Sequence, residues 1–210
     1  MKLAVFGATG PTGKELVAQA LEEGDEVVAY ARNPAKLGIT NQLLTVVQGE
    51  LSDRAQIERV ISGADAVVST LGPRGGSKEK PLTHGMQNIV AAMNKLGVRR
   101  IIITSTLSVK DRNDKRGLRA RALVFLVKLA MRPSYDEIIS VAETLRASDL
   151  DWTILRMTML NNKAKSGKVR AGYLGRGEVA SRIARADIAG FMLRCLQEGN
   201  YVRQAPAISN

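Results

Sequence analysis

Three glycines at three-residue spacing, Gly7, Gly10 and Gly13, follow directly after a short apolar run at residues 3–6. An amphipathic helical pattern begins immediately behind them, at residues 14–23. Glycine lets a backbone turn tightly and approach a pyrophosphate, while the N–H groups at a helix N-terminus bind anionic oxygens. This order of strand, glycine loop and helix predicts a βαβ unit that binds a dinucleotide. The context disfavours the alternative, a strand-to-helix turn that binds nothing.

Short apolar runs and helical patterns alternate along the rest of the chain. Strand-like runs cover residues 3–6, 27–30, 44–47, 66–69, 101–104 and 152–155, and helical patterns cover 14–23, 54–61, 82–96, 118–131, 136–146 and 188–196. This alternation predicts an α/β fold, a Rossmann-type doubly wound and mainly parallel sheet with helices on both faces. No linker divides the chain, so we expect residues 1–210 to form one NAD(P)-binding domain, with substrate-side loops at 107–133 and 157–185.

Bulk composition limits the cellular and chemical setting. No apolar run approaches the roughly 20 residues that a membrane-spanning helix needs, and the first strand leaves no room for a signal peptide. Cys195 is the single cysteine, and its apolar helical surroundings favour packing over reactivity. With one histidine and one cysteine in the chain, no metal site is predicted, because soft ligands are too few. Together these features favour a cytoplasmic protein.

The net charge of +11 is concentrated in two segments, residues 107–133 and 161–185. Lysine and arginine far outnumber Asp111 and Asp114 in the first segment and Glu178 in the second. Both segments follow predicted strands, so we expect a basic rim at the ligand side of the sheet, suited to an anionic small-molecule acceptor. Nucleic-acid binding is an alternative on charge alone, but it is disfavoured because aromatic residues make up only 4% of the chain and no nucleic-acid motif is present.

The end of the second predicted strand distinguishes the two nicotinamide dinucleotides. NAD sites usually place an Asp or Glu here to hold the ribose 2′-hydroxyl. This chain has Arg32 instead, with Lys36 following about one helical turn later. A 2′-phosphate favours charge-assisted donors, and a guanidinium above all. NADP(H) is therefore the predicted cofactor.

Further contacts are expected in the loops that follow the other strands, because ligands in this architecture bind at the carboxyl ends of the strands. The backbone of residues 48–53 is placed near the adenine and that of 69–73 near the nicotinamide ribose. The predicted cofactor-binding residues are Gly7, Thr9, Gly10, Pro11, Thr12, Gly13, Arg32, Lys36, Glu50, Leu51, Thr70, Leu71, Gly72, Ser105 and Thr106. The predicted substrate-side residues are Arg74, Leu107, Met157 and Met159.

The glycine loop, Arg32, the Thr-Ser-Thr run at 104–106 and the stretch at 151–156 together resemble the atypical short-chain dehydrogenases with NmrA-like folds. Within that group the chain is similar to the NADPH-dependent biliverdin-IXβ and flavin reductases. The local matches are at residues 6–10, 88–93, 175–177 and 191–196.

This resemblance implies a Rossmann fold in which NADPH lies over the strand ends and a shallow pocket receives a flat, conjugated acceptor. It also implies that residues 10–12 contact the pyrophosphate, that Arg32 holds the 2′-phosphate and that Ser105 lies near the nicotinamide. Two features depart from the family pattern. Met159 stands where the biliverdin reductase has a histidine, and the segment before Asp136 is longer and more apolar. The identity of the acceptor therefore stays open.

The usual catalytic pair of short-chain dehydrogenases is missing. Their Tyr-x-x-x-Lys pattern uses the lysine to lower the tyrosine pKa, so that the phenol exchanges a proton with a carbonyl. Here Tyr135 is followed four residues later by Ile139, and neither Tyr173 nor Tyr201 supplies the pattern. Tyr135 is expected to be a packing or loop residue. Ser105 is a candidate orienting hydroxyl, although a structural role at the strand end is equally open.

Two further segments have alternative interpretations. The only histidine, His84, is expected at the surface or at a helix start. The basic, apolar helical pattern at 118–132 favours a lid over the pocket, while a membrane-surface helix and a dimer contact are the alternatives. Monomer and dimer both stay open.

The combined features predict an NADPH-dependent reductase that transfers a hydride to a flavin or to a linear tetrapyrrole such as biliverdin. Such an acceptor needs only proximity and orientation from the protein, and water supplies the proton. A flavin here is a substrate rather than a bound cofactor. The alternative is a non-catalytic, NADP(H)-sensing regulatory or partner-binding protein of the NmrA-like kind, which the missing acid–base pair fits equally well.

Overall fold

Strands and helices alternate throughout the part of the chain that the computed structural model describes, residues 1–73, 79–115, 117 and 128–210. The strands are β1 (Lys2–Phe6), β2 (Glu26–Ala31), β3 (Leu44–Gln48), β4 (Ala66–Ser69), β5 (Arg100–Thr106), β6 (Asp151–Met157), β7 (Met159–Asn161), β8 (Arg170–Gly172), β9 (Arg182–Ala184) and β10 (Ala207–Ser209). The helices are α1 (Pro11–Glu22), α2 (Arg54–Ile61), α3 (Pro81–Leu96), α4 (Arg132–Arg146) and α5 (Arg185–Gln197), with a 3-10 turn at Pro34–Lys36. Arg74 and most of the predicted helix at 118–132 lie outside the described residues.

One eight-stranded sheet organises the domain, in the order β3-β2-β1-β4-β5-β6-β10-β8. Its strands pair in parallel except for β8, which runs antiparallel to β10. A separate parallel pair joins β7 to β9. The strand order reverses at β1, the arrangement of a Rossmann fold, and this places the ligand crevice at the carboxyl ends of β1 and β4. The predicted fold class is confirmed.

Helices cover both faces of the sheet because the central strands are apolar on both sides. In β1, Ala4 and Phe6 join a core with side chains of α2, α3 and α4. Leu3 and Val5 point to the opposite face and join a second core with α1 and α5. Alternate residues of a strand face opposite sides of its sheet, so one five-residue strand contributes to both cores. We call these the α3 face and the α1 face.

The structure extends several predicted elements. Helix α1 begins at Pro11 rather than at residue 14, because proline suits the first helical position, where no N–H is needed. Helix α4 begins at residue 132 rather than 136. Ser105 and Thr106, predicted to follow the fifth strand, are its last two residues, and β6 likewise continues through Arg156 to residue 157. The two extensions hydrogen-bond to each other in the sheet.

The segment at 157–185, predicted as a substrate-side loop, contains ordered strands. Met157 is the last residue of β6, Met159 begins β7, and β8 and β9 follow within the same segment. Each of these three added strands is three residues long, and β8 and β9 begin with exposed arginines. Neither feature produces the apolar run by which a strand is recognised in a sequence.

Candidate cofactor and acceptor site

The glycine loop is closed by contacts between backbone atoms. Gly7 has a φ of +86°, and a Cβ atom there would lie 2.8 Å from Oγ1 of Thr70 and 2.9 Å from the amide nitrogen of Leu71. A Cβ at Gly13 would lie only 2.2 Å from the carbonyl oxygen of Gly7. The end of β1, the start of α1 and the loop after β4 therefore approach more closely than any side chain at these glycines permits.

The first turn of α1 presents donors to an anion. Gly10 precedes the helix in an extended conformation and provides no side-chain cap, and its N–H donates to the carbonyl of Gly7 at 3.0 Å. Pro11 has no N–H, while the N–H of Lys14 donates to the carbonyl of Gly10 at 2.9 Å. Helical geometry gives the N–H groups of Thr12 and Gly13 no acceptor within the helix. With no acidic residue in this turn, the cradle fits a pyrophosphate.

The loop after β4 borders the same cradle. Thr70 donates its hydroxyl to the carbonyl of Gly7 at 3.1 Å and its N–H to the carbonyl of Phe6 at 2.9 Å. Leu71 is half-buried against the α3-face core. Gly72 is exposed, and a Cβ added there would meet no atom within 4 Å. The predicted residues Thr70, Leu71 and Gly72 thus lie beside the glycine loop, with Thr70 bonded to it directly.

The end of β2 carries two exposed cations. Arg32 follows the last residue of the strand, and Lys36 ends the 3-10 turn that comes next. Among the ion pairs of the described residues, neither cation has a carboxylate partner. The side chain of Gln48 donates to the carbonyl of Arg32 at 3.4 Å. This bond holds the backbone of Arg32, while Arg32 itself is exposed. An exposed guanidinium can bind a 2′-phosphate.

Residues 48–51, predicted to border the adenine, are fixed by a tyrosine that the sequence analysis missed. Tyr30 donates its hydroxyl to the carbonyl of Glu50 at 2.7 Å. A Cβ at Gly49 would lie 2.3 Å from that hydroxyl oxygen. Burial, followed by the charges of Asp53 and Glu50, raises the pKa of Tyr30 to about 12, so the phenol remains a donor. A glycine directly after a strand was the available signal for this close contact.

Leu51 packs inward rather than toward open space. A Cβ at Gly85 of α3 would come within 2.8 Å of the Leu51 side chain, and Asn88 donates to the Leu51 carbonyl at 2.8 Å. Glu50 has an exposed side chain. Since the carbonyls of both residues accept bonds from protein donors, any cofactor contact here falls to their other atoms.

The carboxyl end of β5 brings the candidate hydroxyls to the acceptor side. Ser105 is 8% exposed and pairs in register with Arg156 of β6. Thr106 pairs with Met157, and its hydroxyl accepts the N–H of Ser108 at 3.3 Å. Leu107, just beyond the strand, is half-buried. Ile103 and Ile154, two residues before Ser105 and Arg156, belong to the α3-face core. Because alternate residues of a strand face the same side, Ser105 and Arg156 also lie on the α3 face.

Arg156 and Asp114 form a fully buried ion pair that the sequence analysis also missed. The two guanidinium nitrogens Nη1 and Nη2 donate to Oδ2 and Oδ1 of Asp114 at 2.7 and 2.9 Å. The side chains are 0% and 4% exposed. Burial alone raises the pKa of Asp114, but the bonds from Arg156 and from the N–H groups of Asp111 and Leu174 outweigh it, and the net pKa is lowered. Asp114 is therefore a carboxylate at neutral pH.

The remaining predicted residues separate into packed and exposed positions. Met157 is half-buried against the α1-face core, whereas Met159 is 65% exposed. Tyr135 is half-buried in the first turn of α4, with Nζ of Lys128 5.7 Å from its ring centroid. Ile139, at the position of the missing lysine, packs against the α3-face core. No catalytic Tyr–Lys pair is therefore rebuilt on this helix.

Two residues discounted as catalytic have ordinary surroundings. His84 is exposed in the first turn of α3. Cys195 is buried in α5, and burial raises the pKa of its thiol to about 12. The described residues hold no group of three His, Cys, Asp or Glu side chains placed to bind a metal. In the same part of the chain, every helix is too short or too polar to cross a bilayer.

The lysines and most of the arginines of the second basic segment are exposed. They include Lys163, Lys165, Lys168, Arg170 and Arg182. The side chain of Lys165 passes close to α5, where a Cβ at Gly190 would lie 2.9 Å from its Cε.

Comparison with known proteins agrees with this geometry. Residues 7–199 match the family model described as NAD(P)H-binding. The chain is 26% identical over 216 residues to UPF0659 protein YMR090W of Saccharomyces cerevisiae, covering 95% of this chain and 88% of that protein. It is 28% identical over 215 residues to a (4-alkanoyl-5-oxo-2,5-dihydrofuran-3-yl)methyl phosphate reductase of Streptomyces griseus, covering 99% of this chain and 67% of that protein.

Among solved structures, ChuY, an anaerobillin reductase of Escherichia coli O157:H7, superimposes with a TM-score of 0.79 at 22% identity, covering 100% of this chain and 97% of its own. At that identity the likeness concerns the fold. The family match begins at Gly7 and confirms the predicted class of cofactor, a nicotinamide dinucleotide.

Proposed function

Because the chain belongs to the NAD(P)H-binding family, we propose that it is an NADPH-dependent reductase acting on a flat, conjugated acceptor, a flavin or a linear tetrapyrrole. The observation that carries this choice is Ile139, which stands four residues after Tyr135, where the Tyr-x-x-x-Lys pattern requires a lysine, and packs against the core. A protein without that lysine lacks the tyrosine acid of a ketoreductase. An acceptor that needs no protein acid is consistent with this site.

Bound NADPH supplies the hydride, and the residues of this chain hold and orient it. The N–H groups of Thr12 and Gly13 bind the pyrophosphate at the start of α1. Arg32 and Lys36, both exposed at the end of β2, bind the 2′-phosphate and favour NADPH over NADH. Ser105, at the carboxyl end of β5, orients the reacting rings.

Acceptor reduction then requires proximity rather than acid catalysis. Bound NADPH would supply the hydride to an electron-poor carbon or nitrogen of the conjugated system, and water would supply the balancing proton, so no side chain of this chain has to act as an acid. Exposed Met159 offers an apolar surface for a planar molecule. The exposed cations between residues 163 and 182 suit phosphate or propionate groups on that molecule.

The relatives are consistent with this reaction class. The Streptomyces griseus protein is named a reductase of a phosphorylated furanone, and ChuY is named an anaerobillin reductase. Both names are those of reductases, and the first names a phosphorylated substrate. They support a reductase and do not select the acceptor.

A panel assay tests the proposal. The protein is mixed with NADPH and, in turn, FMN, FAD, biliverdin and a quinone, and the nicotinamide absorbance band is followed against a protein-free control. We expect turnover of at least one planar anionic acceptor, with a lower acceptor KM at low salt than at high salt, because salt screens the exposed cations. Tight NADPH binding without turnover of any acceptor would contradict the proposal and favour the alternative, an NADP(H)-sensing regulatory protein.

A further inference from the structure

The segments that follow β5 and β6 are joined below the surface by one buried carboxylate. Asp114 accepts hydrogen bonds from both terminal nitrogens of Arg156, from the N–H of Asp111 at 3.1 Å and from the N–H of Leu174 at 3.0 Å. Arg156 also donates to the carbonyl of Val109 at 3.1 Å. Asp114 and Val109 belong to the segment after β5, Arg156 to β6, and Leu174 to the segment after β8. A single ion pair therefore contacts three parts of the acceptor side.

A second set of contacts joins the same parts. The N–H of Lys115 donates to the carbonyl of Leu174 at 2.8 Å. Gly175, with a φ of +78°, lies so close that a Cβ there would be 1.8 Å from the carbonyl oxygen of Lys115. Nε of Arg176 donates to the carbonyl of Asn113 at 2.9 Å. The two segments, 109–115 and 173–176, thus pack backbone to backbone around Asp114.

A third connection reaches the strand at the far side. Oδ2 of Asp111 accepts the N–H of Ala205 at 3.1 Å, and its Oδ1 accepts the N–H of Asn113 at 2.8 Å. Tyr173 donates its hydroxyl to Gln204 at 2.8 Å. The segment that leads into β10 is therefore attached to the same cluster, which we call the Asp114 joint (residues 109–115, 156, 173–176 and 204–205).

The joint adjoins the ends of β5 and β6, where the candidate acceptor residues Leu107 and Met157 lie next to the candidate hydroxyls of Ser105 and Thr106. Arg156 is the register partner of Ser105, and the next pair along the strands is Thr106 and Met157. Because Arg156 bonds to Val109 and Asp114, we expect a change in these bonds to shift the segment that begins at Leu107, relative to Met157. The glycine loop and Arg32 belong to other strands and make no contact with this pair among the hydrogen bonds of the described residues.

We propose that Arg156 and Asp114 are a positioning pair that sets affinity for the acceptor, by holding the segments after β5 and β6 in fixed register, while leaving cofactor affinity unchanged. The inference rests on the proposed reductase function. Neither residue contacts a reacting atom in this view. Their bidentate geometry is what counts, because a guanidinium holds both carboxylate oxygens at once and an ammonium does not.

The substitution Arg156→Lys tests this, because it keeps the positive charge and removes the bidentate hydrogen bonding to Asp114. The matched control is Arg100→Lys. Arg100 is the first residue of β5, the strand next to β6, and lies at the amino end of that strand, away from the acceptor site. Arg100 is half-buried and donates to the hydroxyl of Thr153 and to the carbonyls of Asp151 and Asn200. Each variant removes a multidentate arginine from the same pair of strands, and only Arg156 lies at the acceptor end.

We expect the acceptor KM of Arg156→Lys to rise about tenfold, since small displacements of positioning groups cost large factors. Its kcat should fall less than its KM rises, and the NADPH dissociation constant should stay within about twofold of the wild type. Hydrogen exchange should increase in residues 109–115 and 173–176 together. Arg100→Lys should leave the acceptor KM and the exchange of both segments as they are in the wild type.

The outcomes separate this inference from the reductase proposal. An unchanged acceptor KM in Arg156→Lys, with normal wild-type turnover, overturns the positioning role and leaves the reductase standing. Equal losses for NADPH and acceptor also overturn it, because they indicate general loosening. If the wild type reduces no acceptor, the reductase proposal fails. The affinity for the acceptor is then measured as the dissociation constant of FMN, from the change in FMN fluorescence on binding, instead of as a KM. Binding of FMN that is equal in the wild type and in Arg156→Lys, or absent in both, then overturns the inference.

Discussion

The two halves of this domain are held together by different kinds of contact. In the cofactor half, β1 to β4 with α1 to α3, the tightest approaches involve glycines, such as Gly13 against the carbonyl of Gly7. In the acceptor half, from β5 onward, glycines such as Gly175 also approach the backbone closely, but buried carboxylates join the segments as well. Asp114 accepts two bonds from Arg156 and two from backbone N–H groups, and Asp187 accepts the N–H groups of Ser166 and Gly167 at 2.9 and 2.8 Å.

This difference follows from what each half binds. A pyrophosphate is bound by backbone N–H groups, so the cofactor half requires a particular backbone path and permits few side chains along it. The acceptor half connects segments with little regular structure, and buried carboxylates satisfy N–H groups that no strand or helix satisfies. The halves should consequently fail in different ways when they are mutated.

The largest loss is expected at the Asp114 joint. Asp114→Asn leaves the Arg156 charge buried and without a counter-ion, which costs about 3–5 kcal/mol when one partner of a buried pair is removed. The control is Glu58→Gln in the exposed pair with Lys95, whose N–O distance is also 2.7 Å. That change should cost no more than about 0.5 kcal/mol. Urea unfolding of both variants measures the two losses, and similar values would remove the distinction between the halves.

The same carboxylate should make stability depend on acid. The pKa of Asp114 is lowered in the folded protein, so the unfolded chain binds the proton more tightly. Its contribution is complete above its ordinary pKa of about 3.9 and is lost as pH falls through the lower folded-state value. Asp114→Asn should flatten that part of the stability curve. A variant whose acid dependence matches the wild type would contradict this assignment.

A somewhat smaller loss of stability is expected in the cofactor half, together with loss of cofactor binding. Gly13→Ala forces its Cβ against the carbonyl of Gly7, and such overpacking costs about 3 kcal/mol at the upper end of its usual range. Gly117→Ala is the control, because a Cβ added there would meet no atom within 4 Å and Gly117 is not among the predicted cofactor residues. Isothermal titration with NADPH should find no binding to the first variant and wild-type binding to the second. Normal binding by Gly13→Ala would show that the loop is not a tight cradle.

The contrast between the halves also explains what the sequence predicts well. Backbone approaches leave a readable pattern, because only glycine fits at Gly7 and Gly13, and their spacing repeats. The ion pair between Arg156 and Asp114 leaves no such pattern. Asp114 stands in a basic stretch of the sequence, where it looks like a solvated acid, and its partner Arg156 is 42 residues away. Only the register of β5 against β6 brings the two together.

Strand prediction fails in the acceptor half for a related reason. The apolar runs end at residues 104 and 155, and the strands continue for two more pairs, Ser105 with Arg156 and Thr106 with Met157, in which only the methionine is apolar. The three-residue strands β7 to β10 owe their existence to neighbours that are distant in sequence. In contrast, α2 and β4 match their predicted limits, because a helix capped by Asp53 and a four-residue buried run carry their own local signals.

The smallest effect is expected at Arg32, and it should appear in cofactor choice alone. Arg32 is exposed, so Arg32→Ala should leave stability within about 0.5 kcal/mol of the wild type. Loss of one charge-assisted bond to the 2′-phosphate, worth about 2 kcal/mol, should raise the NADPH dissociation constant about 30-fold at low salt. NADH has no 2′-phosphate, and its constant should change less than about twofold on the same reasoning. Arg59→Ala, which removes an exposed cation from the last turn of α2, controls for net charge and should alter neither constant. Equal losses of affinity for NADPH and NADH in Arg32→Ala would mean that Arg32 stabilises the loop and does not bind the 2′-phosphate. The cofactor half would then depend on side-chain contacts, as the acceptor half does.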